Sequence, residues 1–222
     1  LDACCRTLKS ALCRVSLIRI SIPVQLVVVK NTAVSAYELE RVRPNESERL
    51  RYRFAREEGA GNQQVRKRNV LCDLTAPSDD GAAQDVDAKC LAISAEGSHF
   101  AVCTRSRESF LESCVVGSIA SPGARTVITL QDGETGEVEA VALTVDGSRL
   151  AIGMKFDAFN LRLFALTFNE QKQLVVDESA PDTEQGLLQV KFRGSVTHLA
   201  FHATDANQLV IGYAKGYARH VW

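Results

Sequence analysis

The sequence lacks the short motifs that identify common enzyme classes. It contains no Gly-x-Ser-x-Gly nucleophile elbow and no phosphate-binding loop that ends in Gly-Lys-Ser/Thr. Gly59-Ala-Gly61 is too short for a dinucleotide-binding fingerprint. We therefore expect no catalytic residue, no cofactor and no small-molecule substrate. A hydrolytic or metal-dependent enzyme would need converging Asp, Glu or His residues that the sequence does not show.

The sequence also lacks an excess of charge and a long apolar run. Its 26 Lys and Arg and 27 Asp and Glu give a net charge of -1, which gives no overall electrostatic preference for nucleic acid or membrane. The most apolar stretch, residues 11–29, is interrupted by Arg14, Arg19, Pro23 and Gln25. Two Arg inside a bilayer are costly, so we expect no membrane partner.

Metal-binding and disulfide patterns are missing too. There is no Cys-x-x-Cys pair, and no His pair lies near a Cys with a zinc-like spacing. His198 and His202 could share a strand face, but a metal would need a further ligand. We expect reduced structural thiols in an intracellular protein, nuclear or cytoplasmic. The seven cysteines are Cys4, Cys5, Cys13, Cys72, Cys90, Cys103 and Cys114.

What the sequence does contain is a repeated strand-turn-strand pattern, clearest over residues 194–222. An apolar strand ends at Phe201, a turn cluster follows, and Leu209-Val-Ile211 forms a second short apolar run. The same layout starts from four anchors, and the second strand begins 8, 9, 9 and 10 residues after them. The anchors are Ile18, Leu91, Val141 and Leu199. Two of the turns, Glu96-Gly97-Ser98 and Asp146-Gly147-Ser148, are near-copies.

Each copy continues into a third strand, and three copies into a fourth. The predicted third strands are 33–39, 109–115, 160–166 and 217–222. The predicted fourth strands are 50–54, 126–130 and 187–192, with 173–177 competing for the last of these. Four-stranded units repeated along a chain are typical of a β-propeller. A solenoid and a β-sandwich are the alternatives.

Residues 138–153 resemble the first two strands of a WD repeat, and residues 196–222 resemble the same unit as far as its Trp. The chain departs from the family because no Gly-His opens a repeat and no Trp-Asp is complete. Its anchor spacings of 73, 50 and 58 residues exceed the usual ~40–45. The resemblance implies an all-β, partial WD-repeat-type β-propeller of about three and a half four-stranded blades, and therefore a fragment of a larger ring.

These patterns predict one repeat domain over residues 15–222, after an N-terminal segment, residues 1–14, that is disordered or atypical. Arg6, Lys9, Arg14 and Arg19, opposed only by Asp2, also resemble a transit peptide in composition. Two inserted loops are expected, at about 55–89 and 177–186. Both are polar, and the first is mixed in charge, which is typical of loops.

A basic stretch between Arg41 and Arg68 contains nine Lys or Arg against four acids. It could hold RNA phosphates or an acidic partner, or it could be a charged edge strand protected from pairing with other chains. The candidate contact residues are Arg49, Arg51, Arg53, Arg66, Lys67 and Arg68.

The resemblance implies a non-catalytic scaffold that binds other proteins in an intracellular complex. The alternative is an RNA-associated propeller subunit, either an auxiliary subunit of a tRNA-modifying enzyme or a ribosome-biogenesis factor, which uses the Arg-rich 41–68 region. Fold alone does not decide between them.

Overall fold

In a computed structural model, the described part of the chain is built from β-strands, turns and loops. The described residues are 8–10, 13–18, 24–30, 33–42, 51–54, 56–58, 64–66, 68–74, 76–77, 83–84, 86–107, 109–130, 136–155, 159–170, 174–180, 184, 186–191 and 194–221. Up to residue 69 side chains are described only for 27, 29 and 33–38, and from residue 218 onward only the backbone is. Among these residues, no helix is long and apolar enough to cross a bilayer.

The first sheet has six strands. They are β1 (Leu8–Ser10), β2 (Cys13–Ile18), β3 (Val24–Lys30), β4 (Ala33–Val42), β5 (Arg51–Phe54) and β8 (Arg68–Asp73). Two small hairpins lie between this sheet and the next, β6 (Arg56–Glu58) with β7 (Gln64–Arg66), and β9 (Ala76–Pro77) with β10 (Ala83–Gln84). Both β5 and β8 pair with β4, on its distal and proximal halves.

The second and third sheets follow the same antiparallel order along the chain. The second contains β11 (Val86–Ile93), β12 (His99–Ser106), β13 (Glu112–Ser118) and β14 (Arg125–Thr129). The third contains β15 (Glu137–Leu143), β16 (Arg149–Lys155), β17 (Leu161–Phe168), β18 (Leu174–Val176) and β19 (Leu187–Val190). The final, three-stranded sheet contains β20 (Val196–Phe201), β21 (Gln208–Tyr213) and β22 (Gly216–Val221).

Residues of opposite parity along the central strands pack against opposite neighbouring sheets. Phe100 and Val102 of β12 belong to the core shared with the first sheet, whereas Ala101 and Cys103 belong to the core shared with the third. Because successive side chains of a strand point to opposite faces, a strand buried on both faces must be apolar throughout. This is why the centre of β12, residues 100–103, appears in the sequence as a continuous apolar run.

The first strands of the second, third and fourth sheets share a β-bulge. The pairing with the next strand shifts between Ala88 and Cys90, between Val138 and Ala140, and between Val196 and His198. A bulge adds one residue and increases the local twist. The repeated bulge gives these three sheets the same bend near the start of their first strands.

The two near-identical turns adopt the same structure. In the first, the amide of Gly97 donates to the Ser94 carbonyl (2.8 Å), and Gly97 has a φ of 67°. In the second, Gly147 donates to Thr144 (3.1 Å) with a φ of 78°. Only glycine adopts this left-handed conformation without strain, which explains the shared Gly-Ser.

Contacts between sheets show that equivalent connections lie on the same side of the molecule. The turns between first and second strands meet, because Arg149 Nη1 donates to the carbonyl of Ala206 in the next sheet (3.4 Å). At the opposite side, Lys89 Nζ lies 3.1 Å from Glu137 Oε1, so β11 and β15 start together. We call the first side the turn face. We call the other, with residues 107, 109–111, 159–160 and 214–215, the loop face.

The stacked antiparallel sheets, with first strands β2, β11, β15 and β20 in contact one after another, form a partial β-propeller. The predicted all-β propeller is therefore confirmed.

Some predicted boundaries differ from those of the structure. The third strand of the second sheet begins at Glu112 rather than at Ser109, because residues 107–111 form a loop. Both segments that competed for the fourth position of the third sheet pair with β17. Strands also occur at Leu8–Ser10, before the expected domain boundary, and at Arg68–Asp73, inside the expected loop 55–89.

Candidate functional site

The loop face carries an exposed phenylalanine held in an unfavourable backbone conformation. Phe110 has a φ of 57°, and 64% of its surface is exposed. A left-handed conformation costs a bulky residue about 1–2 kcal/mol. Two hydrogen bonds fix the loop, from the Phe110 amide to the Ser106 carbonyl (3.1 Å) and from the Ser106 amide to the Leu111 carbonyl (2.9 Å). The fold therefore presents an apolar ring to solvent at an energetic cost, which is more common at functional sites.

The side chain of Arg105 packs against the Phe110 ring. Its guanidinium carbon lies 5.2 Å from the centre of the Phe110 ring, within the range of a cation–π contact. Next to Phe110, Leu111 is also exposed. Aromatic residues and arginine are enriched at protein–protein interfaces, so this pair has the composition of an interface surface.

An exposed ion pair lies beside the Phe110 loop. In this pair, Arg107 donates from both Nη2 and Nε to Asp87 Oδ1, at 2.7 and 3.0 Å. The hydrogen bond from Arg107 is the main reason that the pKa of Asp87 lies below its ordinary value. The pair thus places two opposite charges next to the apolar surface of the loop.

Beneath the loop lies a carboxyl group with incomplete hydrogen bonding. Only 4% of the Glu112 side chain is exposed, and neither of its oxygens has a hydrogen-bond partner among the described residues. Arg105 Nε, also buried without an acceptor there, lies 3.8 Å from Glu112 Oε1. Burial raises the pKa of Glu112 to about 7, against the opposing effect of Lys89, Arg105 and the nearby Val138 amide.

The third sheet repeats the exposed aromatic at the equivalent position. Phe159 precedes Asn160, whose carbonyl accepts from the Met154 amide (2.8 Å), as the Leu111 carbonyl does from Ser106. Asn160 is buried and donates to the Gly194 carbonyl, which fixes the end of this loop. Phe159 is 44% exposed, and Tyr217, just after the corresponding turn of the last sheet, is 81% exposed. Three successive sheets thus place an aromatic residue at the loop face.

The residues predicted from the sequence lie elsewhere. Arg51 and Arg53 are in β5, Arg66 in β7 and Arg68 in β8, where only the backbone is described. Arg49 and Lys67 lie outside the described residues. The contact role of these six residues stays a prediction.

The histidine pair does not share a strand. His198 lies in β20, with Nδ1 3.0 Å from Thr197 Oγ1, whereas His202 follows the strand end. Within the described ranges, no group of three or more His, Cys, Asp and Glu residues could hold a metal ion.

Sequence reasoning missed the loop-face aromatics because it placed Phe110 inside the third strand and treated Phe159 as a connection. A usable signal was present, since each Phe lies immediately before a buried third strand at matching positions of two repeats. The structure is therefore a partial β-propeller whose loop face carries exposed aromatic residues next to an arginine.

Several solved structures resemble the chain in fold. In a complex of KlAtg21 with the coiled-coil of AgAtg16, the matching chain is 11% identical, with coverage of 97% of this chain and 65% of that chain and a TM-score of 0.43. For Kluyveromyces lactis Hsv2 the identity is 13%, the coverage 90% and 64%, and the TM-score 0.37. For the Cps50 (Swd1) β-propeller domain of Myceliophteria thermophila the identity is 10%, the coverage is 95% of this chain and 79% of that chain, and the TM-score is 0.34.

The chain therefore spans slightly less than two thirds of the first two of these structures. No family model and no curated protein sequence matches it.

Proposed function

We propose that this protein is a non-catalytic scaffold of the WD-repeat type that binds a protein partner in an intracellular complex, through its loop face. The observation that carries the proposal is the pair of exposed phenylalanines, Phe110 and Phe159, at equivalent positions of neighbouring sheets. Packed sheets lie about 10 Å apart. A peptide in the polyproline II conformation advances about 3.1 Å per residue with three residues per turn, so its side chains three residues apart lie on one side, about 9 Å apart. A peptide of this kind with apolar side chains at those positions would match both rings.

A phage-displayed peptide library, selected on the immobilised full chain, tests this proposal. Peptides that bind the wild type should lose roughly thirtyfold or more in affinity for the double variant Phe110→Ser/Phe159→Ser, because hot-spot residues contribute about 2 kcal/mol or more. Val127→Ser is the matched control, since Val127 is an exposed apolar residue of β14, away from the loop face. Equal losses in both variants, or no loss in the double variant, would contradict the proposal.

RNA binding by the basic 41–68 region is a second candidate. One observation favours it: β5, which contains Arg51 and Arg53, pairs only with the distal half of β4 among the described strands, and so forms an edge of the first sheet. A basic edge strand can follow a phosphate backbone. The same edge would also serve as protection against pairing with other chains.

Titration of single-stranded RNA at several salt concentrations tests this candidate. Replacing Arg51, Arg53, Arg66 and Lys67 by Glu should weaken binding and reduce the salt dependence, by up to about 0.7 in slope for each phosphate that is no longer neutralised. The exposed lysines of the loops, Lys191 and Lys215, replaced by Glu, provide the charge control. Unchanged affinity in the first variant would exclude this region as an RNA site.

A further inference from the structure

Three cysteines form a continuous row across the second sheet. Cys90 of β11 is directly opposite Cys103 of β12, and Cys103 is directly opposite Cys114 of β13. Residues that face each other in an antiparallel pair have Cα atoms about 4.5 or about 5.5 Å apart. Disulfides span about 4.4–6.8 Å between Cα atoms, so the Cα separation of each neighbouring pair falls in the range of a disulfide.

The three thiols point to the same side of the sheet and touch. Cys103 and Cys114 belong to the core between the second and third sheets, and Cys90 packs against that core. Burial raises the pKa of the Cys103 thiol, a side-chain contact with Cys114 raises it further, and a side-chain contact with Cys90 lowers it. No disulfide bond joins these three cysteines in the structure.

Access to solvent decreases along the row. Cys90, on the first strand of the sheet, is partly exposed, whereas Cys103 and Cys114 are completely buried. Burial raises the pKa of Cys103 well above its ordinary value, so this thiol does not react first with a dissolved oxidant. An oxidant would reach Cys90 first, with Cys103 already in contact behind it.

We propose that Cys90 and Cys103 form a peroxide-sensitive thiol pair that closes a disulfide between β11 and β12. Hydrogen peroxide oxidises the Cys90 thiol to a sulfenic acid and is itself reduced to water. The Cys103 sulfur then attacks the Cys90 sulfur and forms the S–S bond. The hydroxyl group of the sulfenic acid leaves and takes the Cys103 proton as a second molecule of water.

The close contact of Cys103 determines the product. A sulfenic acid without a neighbouring thiol is oxidised further to sulfinic acid, which is irreversible for most proteins. With Cys103 in contact, closure of the disulfide competes with that second oxidation. The disulfide is reversible by thiol reductants, so the modification can be removed.

Peptide mapping of the oxidised full chain tests the pairing. Lys89 and Arg105 direct trypsin to release residues 90–105 as one peptide that contains both Cys90 and Cys103, whereas Cys114 and Cys72 fall on other peptides. After peroxide, acid quenching and alkylation without reduction, most of peptide 90–105 should lose two hydrogen atoms in mass and take up no alkylating reagent. Cys72 is the internal control: it is also buried, with its pKa raised to about 11, and its peptide should remain fully alkylated.

Alkylation of both thiols in peptide 90–105, a sulfinic acid at Cys90, or a link from Cys103 to Cys114 would each overturn the proposal. In the Cys103→Ser variant, a dimedone adduct should accumulate on Cys90, whereas Cys114→Ser should still form the disulfide. Circular dichroism checks that both variants fold. If Cys103→Ser does not fold, the wild-type peptide map decides the question.

Discussion

Replacing Glu112 by Gln should stabilise the protein at neutral and alkaline pH. The Glu112 carboxyl is buried, and among the described residues no donor forms a well-aligned hydrogen bond to it. Ionisation of this carboxyl in the folded state is therefore unfavourable. Its pKa rises from 4.5 to about 7 on folding. Each pKa unit corresponds to about 1.36 kcal/mol, so the ionised carboxylate costs about 2–4 kcal/mol of stability.

The sign follows from proton binding. Because the folded state holds the Glu112 proton more tightly than the unfolded chain does, stability decreases as the pH rises from 4.5 to about 7 and is then constant with respect to this group. The Glu112→Gln variant lacks this dependence. It should melt roughly 5–10 °C above the wild type at pH 8, and the difference should vanish near pH 4.5.

Thermal unfolding followed by circular dichroism at several pH values measures this difference. Glu137→Gln is the matched control, because Glu137 accepts a hydrogen bond from Lys89 (3.1 Å) and its pKa is lowered by that contact. This second variant should lose stability at pH 8 and approach the wild type as the pH falls below 4.5. A Glu112→Gln variant that is less stable than the wild type at pH 8 would refute the reasoning, because Lys89 and Arg105 would then fully stabilise the carboxylate.

Four other substitutions test two glycine turns, the loop face and a buried histidine. Gly147→Ala should lower the free energy of unfolding by about 2 kcal/mol or more, because the new Cβ would lie 2.6 Å from His99 Nδ1 at a residue with a φ of 78°. Gly123 has a φ of 88° but open space around it, so Gly123→Ala should cost only about 1 kcal/mol. Urea unfolding measures both differences. Phe110→Asn should keep or raise the melting temperature, since Asn tolerates a left-handed backbone, and it should weaken binding of the selected peptides. A large loss of stability would instead show that Phe110 has a structural role. Burial lowers the pKa of His99 below 6.5, against the opposing effect of Asp146 and Glu96. The wild type should therefore lose stability relative to His99→Gln as the pH falls below 6.5. Parallel pH profiles of stability for the two proteins would contradict this.

The paired strands could be predicted because both of their faces are buried. The runs that end at Val102 and Ile152 are apolar and buried at successive positions, which in a sheet requires a neighbour on each side. The repeated Gly97 and Gly147 also show their structural reason in the sequence, because each turn requires a left-handed residue.

Other features had no local signal. The extra residue of a β-bulge, such as Lys89 in β11, looks like any strand residue in the sequence. The short apolar run Val70–Cys72 lies between charged segments, so the sequence placed the strand Arg68–Asp73 inside a loop; in the structure it pairs with β4 and buries Leu71 and Cys72. The charged cluster around Glu112 joins residues from four strands, and this proximity depends on how the second and third sheets pack.

The long strand β17 has a consequence for how the molecule unfolds. Its first half pairs with β19, but its second half pairs with β18, and the Leu174 carbonyl of β18 accepts a hydrogen bond from Thr126 in the second sheet. Phe168, at the end of β17, also packs on His99, with ring centres 5.4 Å apart. The end of the third sheet thus packs on the second sheet and is hydrogen-bonded to it. Opening either sheet disrupts the packing of the other, so their amide protons should exchange together, as one cooperative unit.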